Sequence, residues 1–231
     1  MHPFIGDFIS NIYYNNSLKS GIVNQAELKK HGLELNWAKN KVAIFCDVKK
    51  KVGQEERGKS KSRPAEAIRI IKLLEELKSD SNFENLSIGI ITFYSKQVNE
   101  IFKEASKKGY AEHNSDGSYD ISLQYKETID GREKLRIGSV DSFQGKEFDV
   151  VILSTVRSND MNRNHENYKK VFGFLTLSNR LNVAFSRAQK LLIVVGDADM
   201  FSDELAKNNV EGLYEFYTNL SSNNIYGNRI Q

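Results

Sequence analysis

A single cysteine, Cys46, in 231 residues rules out an intrachain disulfide, and with it the small secreted scaffolds that depend on one. Prolines number two, and no stretch rich in Pro, Gly or Ser divides the chain. The four histidines, His2, His31, His113 and His165, lack metal-ligand spacing, so no metal site is expected. The most apolar stretches, Phe148 to Leu153 and Leu191 to Val195, are far too short to cross a bilayer. The first residues show no basic-then-apolar leader, so a cytoplasmic location with no membrane partner is expected. Lys and Arg total 33 against 30 Asp and Glu, and a net charge of +3 is too mild to indicate nucleic-acid binding by itself. What is present, 39% apolar and 27% charged residues, is an ordinary globular balance. One domain over 1–231 is expected, with a helical lead-in over 1–40.

Five segments read as strands: Val42 to Val48, Ile88 to Phe93, Leu135 to Val140, Phe148 to Thr155 and Leu191 to Val195. Most are short and nearly continuous in apolar residues, the pattern of a parallel sheet covered on both faces. Helical spacing lies between them. Pro64 to Lys78 places Ile68, Ile71, Leu74 and Leu77 on one face, with Pro64 suited to the first turn. Ser95 reads as the cap of a helix burying Val98, Ile101, Phe102 and Ala105. A third helix covers Leu177 to Ala188, and two more follow near Met200–Lys207 and Val210–Leu220. The alternation predicts an α/β fold. The polar stretch 109–134 reads as an insertion, with a hairpin around Asp130-Gly131.

Gly53 to Ser60 matches G-x-x-x-x-G-K-[ST], the phosphate-cradling loop of many ATPases. The context opposes that reading. A true loop opens a long helix at its Gly-Lys-Ser, but Pro64 would fall in the second turn, at a cost of about 3 kcal/mol. No strand ending in an acidic pair for Mg²⁺ is evident. The other reading is a solvated basic loop. Residues 49–63 hold seven basic residues (Lys49, Lys50, Lys51, Arg57, Lys59, Lys61, Arg63) against Glu55 and Glu56. Such a loop either touches a phosphate backbone or only solubilises.

Three segments follow predicted strands: Thr92 to Gln97, Val140 to Glu147 and Val156 to Asn159. In a parallel sheet such points share one edge, where α/β proteins bind ligands. In the helix from Leu177, the residues Leu177, Leu181, Ala184, Phe185 and Ala188 form an apolar stripe, and Arg180 and Arg187 border it seven residues apart. Two guanidinium groups held in this way suit phosphate recognition, or else pair with local carboxylates.

These segments resemble the second RecA-like domain of superfamily 1 helicases, in the branch of the nonsense-mediated-decay RNA helicase and its DNA-helicase relatives. Val140 to Ser154 resembles motif V, Arg180 to Ala188 motif VI, and Ile88 to Tyr94 motif IV, with Phe93 where proline is usual. Met1-His2-Pro3 resembles the end of the family's Gln-Tyr-Arg-Met-His-Pro. Gly53-Gln54-Glu55-Glu56 and Glu66-Ala67 fit its glycine-rich acidic loop and following helix. The resemblance implies a RecA-like three-layer domain, a mainly parallel sheet of about five strands, and no working phosphate loop. It implies ATP with Mg²⁺ bound against a first RecA-like domain, upstream or in trans, that supplies the Mg²⁺ ligands. Arg187 would be the arginine finger, Gly145 and Glu147 would meet the nucleotide with Gln144 nearby, and Arg180 would order the site or pair with a carboxylate. On the side opposite the nucleotide, single-stranded DNA or RNA would contact Thr92, Tyr94, Ser139 and Asp141, with Tyr94 either stacking on a base or packed in the core. Arg157 would lock motif V to a neighbouring element. Two other readings stay open: a self-sufficient NTPase using Lys59 and Ser60, and a non-catalytic, nucleic-acid-binding helicase remnant.

Overall fold

The computed structural model describes residues 1–19, 21 and 24–231. Eight strands run in chain order: β1 (Ala43–Asp47), β2 (Ile88–Thr92), β3 (Ala111–His113), β4 (Tyr119–Ile121), β5 (Leu135–Ser139), β6 (Phe148–Ser154), β7 (Ala188–Gly196) and β8 (Gly227–Ile230). Six of them form one parallel sheet in the order β5-β2-β6-β7-β1-β8, and β3 and β4 form a separate antiparallel pair. The helices are α1 (Pro3–Tyr14), α2 (Gln25–Leu28), α3 (Pro64–Lys78), α4 (Ser95–Lys107), α5 (Tyr168–Phe172), α6 (Ser178–Ser186), α7 (Glu204–Asn209) and α8 (Glu211–Glu215).

The strands are apolar at consecutive positions because each face of the sheet has its own cover. Ile44, Cys46, Ile90, Ile152 and Ile193 face α3 and α4, packing with Ile70, Ile71, Leu74 and Ile101. Phe45, Ile91, Val151, Leu153 and Val194 face α1, α6 and α8, packing with Ile5, Phe8, Leu181, Phe185 and Leu213. Each such side chain contributes about 1.5–3 kcal/mol on burial. This is the expected RecA-like three-layer α/β arrangement.

The differences from expectation have local causes. Ile68 is 56% exposed, because α3 buries Glu66, Ala67, Ile70 and Leu73 as well as Ile71, Leu74 and Leu77, which turns Ile68 outward. Ser95 does not cap α4. It is the first helical residue, and the Oγ of Ser60 accepts a hydrogen bond from the Lys96 amide at 3.1 Å instead. β7 begins at Ala188, three residues before the expected Leu191, and α6 stops at Ser186. The sixth strand, β8, was not expected at all. The hairpin of the insertion turns at Gly117, between β3 and β4, whereas Asp130-Gly131 sits in a smaller turn closed by the Glu127–Glu133 bridge.

That insertion is clasped to the start of β6 through Asp149. Its buried carboxylate accepts from Arg132 at 2.7 Å and from the Ser87 amide at 3.1 Å, and Lys190 lies at 3.0 Å. Burial pushes the Asp149 carboxyl upward, yet these donors outweigh it and hold the group below its ordinary range.

Candidate functional site

In a parallel sheet, residues just before a strand lie at one edge and residues just after a strand at the other. The expectation that Val140 to Glu147 shares the edge of Thr92 and Val156 is half right. β5 delivers Ser139 to the carboxyl edge. The 3₁₀ turn Val140–Phe143 follows, with Val140 and Phe143 packed into the core, and Gln144 to Glu147 arrive at the amino edge, ahead of β6. Arg187 lies at that same edge, ahead of β7, and its carbonyl accepts from the Phe148 amide at 2.9 Å. Seven residues of β6 put the two edges about 20 Å apart.

At the amino edge, Gln144, Gly145 and Glu147 are exposed. Gly145 has φ +76°, and a Cβ there would meet nothing within 4 Å, so the turn faces open space. The Arg187 guanidinium is partly exposed and donates to the Lys146 carbonyl (3.1 Å), the Val183 carbonyl (3.0 Å) and the Ser186 hydroxyl (2.9 Å). These bonds fasten the end of α6 to the Gly145 turn. Met1-His2 joins the edge, with the His2 amide donating to the Gln189 carbonyl at 2.7 Å.

Arg180 and Asp141, expected in different sites, form an ion pair. Arg180 also lies 5.7 Å over the Phe174 ring. The seven-residue spacing puts Arg180 and Arg187 on one line but about 10 Å apart, at opposite ends of α6.

At the carboxyl edge, Thr92 is fully buried and its Oγ1 has no hydrogen-bond partner. Tyr94 is only 3% exposed. Its ring packs 5.2 Å from that of Phe174, and its hydroxyl accepts from the Phe174 amide at 3.3 Å and from Arg157 Nη1 at 3.5 Å. Of the two readings of Tyr94, this conformation shows the core one, and Thr92 presents no hydroxyl to solvent. Ser139 is half-buried, and its carbonyl accepts from Ser142 Oγ at 2.7 Å. The exposed aromatic ring here is Phe174, which the strand-end pattern did not single out.

Arg157 does lock its segment to neighbours. Its Nε lies 2.9 Å from the Glu55 carboxylate, in ion-pair range though not aligned as a hydrogen bond, and Nη2 donates to the Lys170 carbonyl. Glu55 accepts in turn from the Ser158 amide and from Asn159 Nδ2, both at 3.0 Å.

The Gly53–Ser60 segment does not open a helix, since α3 begins at Pro64 and Ser60 serves as the α4 cap. Beneath it lies a fully buried ion pair. Arg63 donates to Glu66 (3.0 Å) and to the carbonyls of Gly53 (2.7 Å) and Val48 (2.6 Å). Glu66 accepts from Ser154 Oγ (2.7 Å) and the Val156 amide (2.9 Å). Burial raises the Glu66 carboxyl pKa against the pull of Arg63.

A family model described as an AAA domain matches residues 1–199. Regulator of nonsense transcripts 1 from Caenorhabditis elegans is 31% identical over 205 residues, covering 87% of this chain and 17% of that protein. RNA helicase Mov10l1 from Mus musculus is 33% identical over 156 residues, covering 67% of this chain and 11% of that protein. The chain therefore spans about a sixth, or less, of the length of these relatives. Among solved structures, the C-terminal domain of a possible DNA helicase from Lactobacillus plantarum aligns at TM-score 0.44 and 15% identity, over 91% of this chain and 92% of that one. This chain belongs to the AAA domain family, in the superfamily 1 helicase branch that includes the regulators of nonsense transcripts 1 and Mov10l1.

Proposed function

We propose that these residues are the second motor domain of an ATP-dependent helicase or translocase acting on single-stranded DNA or RNA. A first RecA-like domain, upstream or in trans, would face the amino edge and supply the phosphate loop, the Mg²⁺ ligands and the catalytic glutamate. The observation that carries this reading is the pairing at that edge. The Arg187 guanidinium is tied to the Lys146 carbonyl, beside an exposed turn bearing Gly145 and the Glu147 carboxylate. Donors and an acceptor reachable from outside, around a glycine facing open space, fit one half of a nucleotide site.

When bound, ATP supplies the phosphoanhydride to be broken. Arg187 would stabilise charge on the transferring phosphoryl group. Glu147 would accept a hydrogen bond from the ribose or an arginine, and Gln144 and Gly145 would line the same pocket. Arg180, paired with Asp141, would hold α6 in place. Ser60, occupied as a helix cap, speaks against a second phosphate loop here. No helix among the described residues is long and apolar enough to cross a membrane. Alternating closure and opening of the amino-edge cleft would shift the grip on the strand, 5′ to 3′ by family resemblance.

Glu147→Ala in the complete protein tests the half-site. With saturating oligonucleotide, KM for ATP should rise about tenfold or more, the scale of a lost charged hydrogen bond. An unchanged KM and kcat would remove Glu147 from the nucleotide site.

A further inference from the structure

One groove has no place in the nucleotide site. It lies at the carboxyl edge, has a volume of about 470 Å³, and is lined by Lys59, Lys61, Tyr94, Arg157, Lys169 and Phe174, among others. Phe174 is 45% exposed and its neighbour Leu177 41%. The exposure is not that of a loose side chain. Tyr94 backs the ring and accepts from its amide. Gly173 immediately before it has φ +56°, where a Cβ would come within 2.6 Å of the Tyr94 oxygen and 2.5 Å of Arg157 Nη1. Only glycine passes so close to that pair. The buried Glu55–Arg157 pair thus supports Tyr94 and Gly173, and these present Phe174 outward.

The rim is cationic. Lys59 and Lys169 are exposed and form no ion pair among the described residues, while Lys61 reaches Glu55 only at 3.7 Å. A rigid aromatic face among ammonium groups matches a polyanion whose bases are unstacked. A duplex hides its base faces, and an apolar protein partner would leave the lysines without counter-charges.

Resting on the helicase reading above, we infer that Phe174 is a base-stacking platform for a single strand, and that Lys59, Lys61 and Lys169 hold the flanking phosphates. The phosphate-loop look-alike then touches nucleic-acid phosphates, not ATP. Arg180, over the Phe174 ring, and Arg187 mark the two ends of α6, so one short helix joins the platform to the nucleotide edge.

The test is fluorescence anisotropy of labelled oligo(dT) and oligo(U), about 15 nucleotides long, titrated with the 231-residue chain over a salt series. Phe174→Ala should weaken binding about 5- to 150-fold. Phe174→Leu, which keeps the packing on Tyr94 but removes the aromatic face, should lose as much, and Phe174→Tyr should retain most of the affinity. Lys59→Ala should lower the slope of log K against log salt by about 0.7. The platform is overturned if wild type binds single strands and Phe174→Leu binds equally well, and also if duplex competes as well as single strand. The helicase reading survives both results. If wild type binds neither oligonucleotide even at low salt, both readings fall together.

Discussion

Arg187→Ala, introduced into the complete protein, is expected to lower the turnover of ATP by about 10³- to 10⁵-fold, the range measured for arginine fingers. Single-strand affinity should stay largely intact, because Arg187 sits at the end of α6 away from the carboxyl-edge groove. The guanidinium already bonds to the Lys146 and Val183 carbonyls, so part of its work is structural, and alanine would loosen the Gly145 turn. Arg187→Lys separates the two roles. It keeps the charge but loses the planar fork that engages two acceptors, and turnover should remain strongly depressed. Steady-state ATPase assays with saturating oligonucleotide read the effect, and normal turnover in Arg187→Ala would sink the assignment.

The largest loss of stability is expected from Arg63→Ala. Arg63 and Glu66 are both fully buried, and the pair binds the start of α3 to the Gly53 carbonyl, the end of β1 and the end of β6. Removing the cation leaves the Glu66 carboxylate buried beside two carbonyls that have lost their donor. Breaking such a pair costs about 3–5 kcal/mol. Replacing both partners with apolar residues, Arg63→Met with Glu66→Leu, should recover much of that loss, since neither charge then remains buried. Urea denaturation followed by circular dichroism measures both variants. A loss below about 1 kcal/mol for Arg63→Ala would mean that water or a rearranged neighbour satisfies Glu66.

The parallel sheet was legible because its inner strands are continuous apolar runs, and the RecA-like topology was legible through the motif V and motif VI residues. β8 left no such mark. Gly227–Ile230 is a four-residue edge strand of mostly polar composition that pairs on one side only, with β1. The edge assignment failed for a different reason. Pattern reading places Gln144 to Glu147 after β5, but in a parallel sheet the next strand restarts at the opposite edge, so the chain must cross before β6 begins. Hence the strand-end pattern could not separate Glu147 from Thr92 and Tyr94, and only the family resemblance put the single strand on the side opposite the nucleotide. Phe174 escaped because Gly-Phe-Leu-Thr reads as one more apolar fragment. Its exposure depends on the close approach of Gly173 to Arg157 and Tyr94, which joins residues far apart in the chain. Ser60 could not be seen as the α4 cap, since the cap joins residues 36 apart.

The most direct test of the central claim, that these residues complete an ATP site but do not contain one, is ATP turnover by the 231-residue chain itself, with and without single-stranded oligonucleotide. The account predicts no turnover above background in either condition, and activity only once a first motor domain is supplied. Clear turnover by the chain alone, abolished by Lys59→Ala, would make Gly53–Ser60 a working phosphate loop and contradict it.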